Sequence, residues 1–309
     1  MAKLFAAVAD LPARAVRERA PDIAPPPRLP ALERLLARGE RASADTDWRR
    51  WALKVAGLVA PPGDLPLGRL LAAAHGLEVH SSQSWLIASP LRLGAGLTAL
   101  HVEDARLTLA AAVAATLAAR FNAEWQGSCE LLLAGRVLLL REPATLEVTT
   151  VDPSLLAGSE LAAELPRGRD APALLRRMTE IQMWLHRAGE EGLNALWLWG
   201  AGQGSLEGCA AWPRLTTTDA ALAAARAVHP GVAALAGAEL THWSCAELLA
   251  AGLPLGDADA RWFAPLESAL ARGTLERAEL HFAGQAIRLS GAQRWRWWRR
   301  VRPWWEFDQ

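Results

Sequence analysis

The sequence predicts an α+β (or α/β) fold in two halves, a mixed sheet with flanking helices, and three observations predict it. Apolar residues recur at helical spacing in some segments, while in others they alternate or form short blocks, so helices and strands are both required. Clusters containing the 24 Gly and 19 Pro residues punctuate the chain between those segments. At 309 residues the chain is long enough for two domains or one large one, and it can bury a core without disulfides or metal staples.

The elements follow in order. Pro25-Pro26-Pro27 and Pro30 favour extended backbone and leave residues 1–30 as a Pro-rich arm without a core of its own. An α+β half then runs over 31–165. Leu32, Leu35 and Leu36 have helical spacing, as do Trp48, Trp51, Leu53 and Val55 before Pro61-Pro62-Gly63, and Leu67–His75 ends at Gly76. From Glu78 to Val102, apolar residues interrupted by Pro90, Gly94 and Gly96 predict two or three short strands. Leu107–Phe121 reads as a buried, Ala-rich helix, its apolar core too short to span a bilayer. Glu130–Leu140 with Thr145–Val151 reads as a hairpin hinged at Glu142-Pro143.

The second half, 166–309, opens with a helix over 172–187, started by Asp170 and Pro172 and ended at Gly189. Leu193–Trp199 is a short apolar run that empties into Gly200-Ala201-Gly202, the pattern of a buried strand before a Gly-rich loop. Helices follow over 219–228, 246–251 and 259–271, the last capped by Gly273. Arg277–Phe282 and Ala286–Leu289 form a hairpin about Ala283-Gly284.

Hydrophobic residues make up 51% of the chain, charged residues 21%, and the formal net charge is +0. Neutrality argues against nucleic-acid binding by the whole surface. Cys129, Cys209 and Cys245 are odd in number and far apart, so neither a disulfide framework nor a CxxC metal knuckle is present. The apolar start is cut off at Asp10, short of a signal peptide's core, and a cytoplasmic location is expected.

The 15 Trp stand against no Tyr. Two concentrations matter. Arg294–Trp305 holds five of them interleaved with Arg; as a helix it would group Trp297, Trp298 and Val301 on one face, for core docking or for partner binding. Trp295, Trp297, Trp298, Arg299 and Arg300 are the candidate partner surface, with nucleic acid a less favoured occupant. The other concentration is Trp197 and Trp199. There Glu180, Gln182, His186 and Asn194 are candidates to line a ligand pocket with Trp197, Trp199, Gly200 and Gly202, whose loop amides can approach an anion. The alternative is structural: the Trp pair packs, the glycines turn the chain, and Gln182 and Asn194 tie helix to strand.

Glu180-Ile-Gln-Met-Trp-Leu-His186 followed by Asn194-Ala-Leu-Trp-Leu-Trp-Gly-Ala-Gly202 resembles a block of a bacterial family of unassigned function, labelled cofactor-independent (2,3-bisphosphoglycerate-independent) phosphoglycerate mutase. Trp85–Leu93, Phe121-Asn122, Trp262–Leu270 and Trp295–Pro303 resemble further parts of that family. Archaeal-type cofactor-independent phosphoglycerate mutases carry a comparable WLWGxG segment, so the resemblance implies a phosphatase-superfamily-like element in the second half. That superfamily's chemistry needs two metal ions held by Asp and His clusters and a Ser or Thr nucleophile. The seven His are scattered without Asp-x-x-x-His spacing, no early Asp-Gly is present, and His186-Arg-Ala-Gly has the wrong order for a phosphohistidine motif. Arg92, Ser89 and Ala201 also depart from the family's His, Asp and Gly.

The leading expectation is therefore a non-catalytic protein that binds a protein partner or a small phosphorylated ligand, without a cofactor. One alternative is a phosphomutase or phosphatase acting on phosphoglycerate or a related ester, with Mn, Mg or Zn. Another is a nucleic-acid-associated module using the Trp/Arg tail.

Overall fold

The computed structural model describes residues 2–11, 25–95, 100–104, 107–156, 161–188, 192–231 and 237–307. The helices are α1 (Pro30–Arg38), α2 (Trp48–Val55), α3 (Leu67–Ala74), α4 (Ala111–Glu124), α5 (Ala171–Ala188), α6 (Ala220–Val228), α7 (Cys245–Ala250) and α8 (Ala264–Arg272). The strands are β1 (Lys3–Ala9), β2 (Glu40–Ala42), β3 (Ser84–Ala95), β4 (Leu100–Asp104), β5 (Glu130–Ala134) and β6 (Val137–Glu142), then β7 (Ala195–Trp199), β8 (Arg214–Thr216), β9 (Ala238–Ser244), β10 (Arg277–Phe282) and β11 (Gln285–Ser290). The content is mixed α/β with two sheets.

The chain divides into two compact units. Met1–Val59, Gly208–Leu222 and Pro230–Gln309 form the first, and Ala60–Glu207 with Ala223–His229 the second. This differs from the expected division near residue 165, because the first unit combines both ends of the chain. Its sheet has the order β2-β11-β10-β1-β9-β8. β8, β9, β1 and β10 are parallel, while β11 and β2 add on antiparallel.

Residues 3–9 are thus a central strand and not part of a coreless arm. Two effects hide it in the sequence. A strand covered on both faces shows no alternation, and its Ala-rich composition lacks the β-branched and aromatic signature. Pro25–Leu29 belongs to no helix or strand, while residues 12–24 lie outside the described residues.

On one face of this sheet, Ala6, Val8, Leu280 and Phe282 pack with Leu32 and Leu35 of α1 and with Phe263, Leu266 and Leu270. Pro30 sits in the first turn of α1, but the preceding Leu29 has no capping side chain. The carboxylate of Asp259 takes that role, accepting from the amides of Ala31 and Leu32 at 2.9–3.0 Å. It satisfies helix-end donors that would otherwise be open. On the face carrying Phe5, Trp51 of α2 is buried and donates its indole N–H to Glu279 at 2.9 Å.

The second unit is built around β3. It pairs antiparallel with β6 over Ser84–Ile87, with β7 over Ile87–Leu91 and with β4 over Arg92–Ala95. Leu86, Ala88, Leu196 and Leu198 face a cluster with α4 and α5, including Phe121, Ile181, Trp184 and Leu185. Gly68 lets α3 lie against β3, since a Cβ there would sit 2.2 Å from the carbonyl oxygen of Trp85.

Three further expectations change. The hairpin is β5–β6, turned at Gly135 with φ 61°, whereas 145–151 lies outside the sheets and makes only an isolated bridge, Thr149 with Arg167. A left-handed Gly in the middle of the Leu-rich run, between Ala134 and Val137, makes the tighter turn. α4 is buried on one face only, through Ala114, Leu117, Ala118 and Phe121. Residues 294–303 do not form an α-helix: short 3-10 turns occupy Gly291–Trp295 and Trp304–Glu306. Arg296 and Arg299 donate instead to the carbonyls of Arg38 and Gly39 at the end of α1, at 3.3 and 3.0 Å. The expected stops at Gly96 and Gly189 lie outside the described residues.

Leu280, fully buried beneath α1 and α8, tests this core. Leu280→Ala should cost about 2–5 kcal/mol, read as a lower urea midpoint.

Candidate functional site

The Trp-Leu-Trp strand and its glycines form one hydrogen-bonded block. Asn194 clasps β3 by accepting from the Leu93 amide at 2.8 Å and donating to the Leu93 carbonyl at 2.7 Å. It ties strand to strand, whereas a helix-to-strand tie was expected. The buried indoles of Trp197 and Trp199 donate to the Val151 carbonyl at 2.8 Å and to Ser89 Oγ at 2.9 Å. Gly200 is left-handed, with φ 70°. Its amide donates to Thr150 Oγ1 at 3.0 Å, and its carbonyl accepts from Gly68 at 3.1 Å. Thr150 in turn donates its hydroxyl and its amide to Asp64.

Gly202 donates to the Leu65 carbonyl at 3.2 Å, and a Cβ on it would lie 2.0 Å from the Asp64 oxygen. An anion cradle needs amides that converge on empty space. Here the amides of Gly200 and Gly202 have protein acceptors, and Gly202 serves a close approach between two loops. Glu180 and His186 are exposed on α5, and Glu180 pairs with Arg177 at 3.1 Å. At 100° per residue Glu180 stands about 160° around the helix from half-buried Gln182. The structure therefore joins Asn194, Trp197, Trp199, Gly200 and Gly202 and leaves Glu180 and His186 outside the block. Thr150 and Asp64, which complete it, carry no motif in the sequence.

A second polar group lies at the carboxyl end of the parallel strands in the first unit. His281, Ala7 and His242 are register partners across β10, β1 and β9, and Ala9 pairs with Ser244. Alternation puts these residues on one face. Asp10 follows β1 in the left-handed region at φ 64° and accepts from Ser244 Oγ at 2.7 Å. Half-buried His242 stacks on Trp48 at 4.4 Å and 4°, and its Nδ1 is buried without a hydrogen-bond partner. Arg49 lies over Trp48 at 4.6 Å and pairs with Asp219 at 2.8 Å.

His281 is buried and its Nε2–H donates to the Asp45 carbonyl at 2.8 Å. Burial lowers the pKa of both histidines below 6.5. Among the described residues, no group of three or more His, Cys, Asp or Glu is arranged to hold a metal ion. The sequence signal for this edge is slight: an apolar run that ends in an acidic residue.

The third place is the Trp/Arg segment. Trp295, Trp297 and Trp298 are 64%, 76% and 66% exposed, and the last two meet edge to face at 6.4 Å. Exposed Arg300 and Arg302 line an open groove of about 440 Å³ with Arg41, Glu40 and Glu306. Arg299 is an anchor to α1. Trp304 is buried, with its indole N–H on the Pro27 carbonyl at 3.1 Å and its amide on Glu33 at 3.2 Å.

No known family model matches the chain, and no curated protein matches it. Among solved structures, a cofactor-independent phosphoglycerate mutase from Thermoplasma acidophilum DSM 1728 is similar at 15% identity and a TM-score of 0.33, over 94% of this chain and 90% of that one. The PH0037 protein from Pyrococcus horikoshii is similar at 10% identity and a TM-score of 0.41, over 93% and 86%. Both likenesses are distant, and neither bears on the sites above.

Gly202→Ala should lose about 1–3 kcal/mol from the forced contact with Asp64, whereas His186→Ala at an exposed position should stay within about 0.5 kcal/mol. Thermal melts distinguish them. The unfolded chain binds protons to His242 and His281 below about pH 6.5, before the folded chain does. Their contribution to stability is therefore present above that pH and lost as pH falls through the depressed folded values. Urea midpoints should drop between about pH 7.5 and about pH 5, less steeply in His281→Gln.

Proposed function

We propose that this chain is a non-catalytic binding protein whose interaction surface is the Trp/Arg segment around Trp295–Arg302. The observation that carries this reading is the display of three indoles to solvent on backbone fastened to α1. Contiguous exposed apolar surface rimmed by polar groups marks interaction sites, and Trp with Arg dominates binding energetics where surfaces meet. The occupied amides of Gly200 and Gly202 support the same reading, because they leave the Trp-Leu-Trp-Gly block with a packing role. In this reading that block is an element shared with phosphatase-superfamily mutases, and the protein works in the cytoplasm without a cofactor.

A second reading, a phosphatase or phosphomutase, is favoured by one observation: Ser244 hydrogen-bonded to Asp10 where parallel strands end. Ligands of α/β sheets bind beyond those ends. The chemistry would then draw on Asp10, His242 and Ser244 in place of Glu180, His186 and Gly200, with a bound Mn, Mg or Zn supplying Lewis acidity.

Assays on 3-phosphoglycerate and on a generic phosphate ester, each with Mn, Mg or Zn, separate the readings. No turnover above background is expected. Robust turnover abolished by Ser244→Ala or His186→Ala would overturn the non-catalytic reading.

A further inference from the structure

Building on the binding-protein reading, we infer that the partner of the Trp/Arg surface is an anionic lipid membrane, on which Trp295–Arg302 sits as an interfacial loop. The chemistry of the segment is narrow. Trp-Arg-Trp-Trp-Arg-Arg-Val-Arg offers indoles, guanidiniums and one aliphatic side chain, with no carboxylate, amide or hydroxyl. Indoles settle at the headgroup level of a bilayer, where an apolar body and one N–H donor are both satisfied. Clustered Arg is drawn to anionic headgroups. Trp295, Trp297, Trp298 and Val301 are all among the exposed large apolar side chains. Four Arg in eight residues make a local basic patch on a chain of net charge +0.

The loop is also preformed. On one side the buried Gln293 donates to the Arg288 carbonyl at 2.9 Å, and on the other Trp304 is buried. Between them Arg296 and Arg299 hold the carbonyls at the end of α1. Docking then orders little additional chain. No described helix is long and apolar enough to cross a membrane, and interfacial docking requires none.

Nucleic acid fits less well. The rings of Trp297 and Trp298 stand at 79°, so they offer no parallel platform for successive bases. A second copy of this loop is disfavoured by like charge.

Sedimentation of the full chain with vesicles tests the inference. The bound fraction should be about tenfold higher on phosphatidylcholine mixed with phosphatidylglycerol than on phosphatidylcholine alone, and should fall with added salt. Brominated acyl chains should quench part of the Trp emission. Trp297→Ser with Trp298→Ser should remove that quenching and about nine-tenths of binding without altering the thermal melt, and Arg300→Gln with Arg302→Gln should weaken binding to anionic vesicles alone. Absence of sedimentation with anionic vesicles, or binding undiminished in both double variants, overturns the inference. Capture of single-stranded RNA or an acidic polypeptide without vesicle binding, lost in the same variants, overturns the lipid partner and leaves the binding surface standing. If vesicles, RNA and polypeptide all fail to bind while phosphate-ester turnover appears, the binding-protein reading itself falls.

Discussion

The first unit depends on β1 being hydrogen-bonded along both edges, to β9 and to β10. A parallel neighbour cannot be joined to β1 by a tight turn, because parallel strands need a crossover connection, and here both neighbours come from the far end of the chain. The amino-terminal strand and the carboxyl-terminal hairpin therefore belong to one sheet. The small side chains of Ala6, Ala7 and Ala9 suit this position. Phe263 and α1 press from one face and the indoles of Trp48 and Trp51 lie over the other, so the bulk that fills the space comes from the helices.

Around that sheet, polar groups are satisfied by partners distant in sequence. Asp259 caps α1 across 228 residues. Glu33, buried on α1, receives a two-pronged contact from Arg28 at 2.6 Å and the amide of Trp304. The hydrogen bonds to the Arg28 guanidinium neutralise a carboxylate whose burial alone would be costly. The same carboxylate thereby fixes where the Trp/Arg segment ends and the core resumes. The exposed indoles are displayed because the residues on either side of them are held.

Legibility varied with the source of each constraint. The places of α1, α2 and α3, the end of α8 at Gly273, and the β10–β11 hairpin follow from spacing and from Gly or Pro stops, which act locally. The expected helix over 259–271, by contrast, begins as a π-helical turn over Asp259–Phe263 and is α-helical only from Ala264. β1 and β9 do not follow from local signals, since parallel strands inside a sheet have neither alternation nor turn signals, and β8, a three-residue edge strand with its two end residues exposed, is too short to show a period. The Trp/Arg segment shows a helical pattern, yet two guanidiniums take the open carbonyls of α1 and draw the backbone out of a helix. The site residues divide in the same way. Asn194, Trp197 and Trp199 are visible as a run, but the acceptors that decide their role, Leu93, Val151 and Ser89, lie 46 or more residues away.

By itself the sequence determined the mixed α/β content, the turns set by glycine and proline, and the two places where tryptophan concentrates. Those properties reside in local backbone preference and side-chain periodicity. Tertiary structure decided that the Trp-Leu-Trp-Gly glycines serve close loop packing, that Asp10 and Ser244 meet at the carboxyl end of the sheet, and that Trp295, Trp297 and Trp298 face solvent. The physical reason is the same in each case. Whether an amide, a hydroxyl or an indole is free for a ligand depends on whether another part of the chain has already satisfied it, and those partners are brought near only when the chain folds.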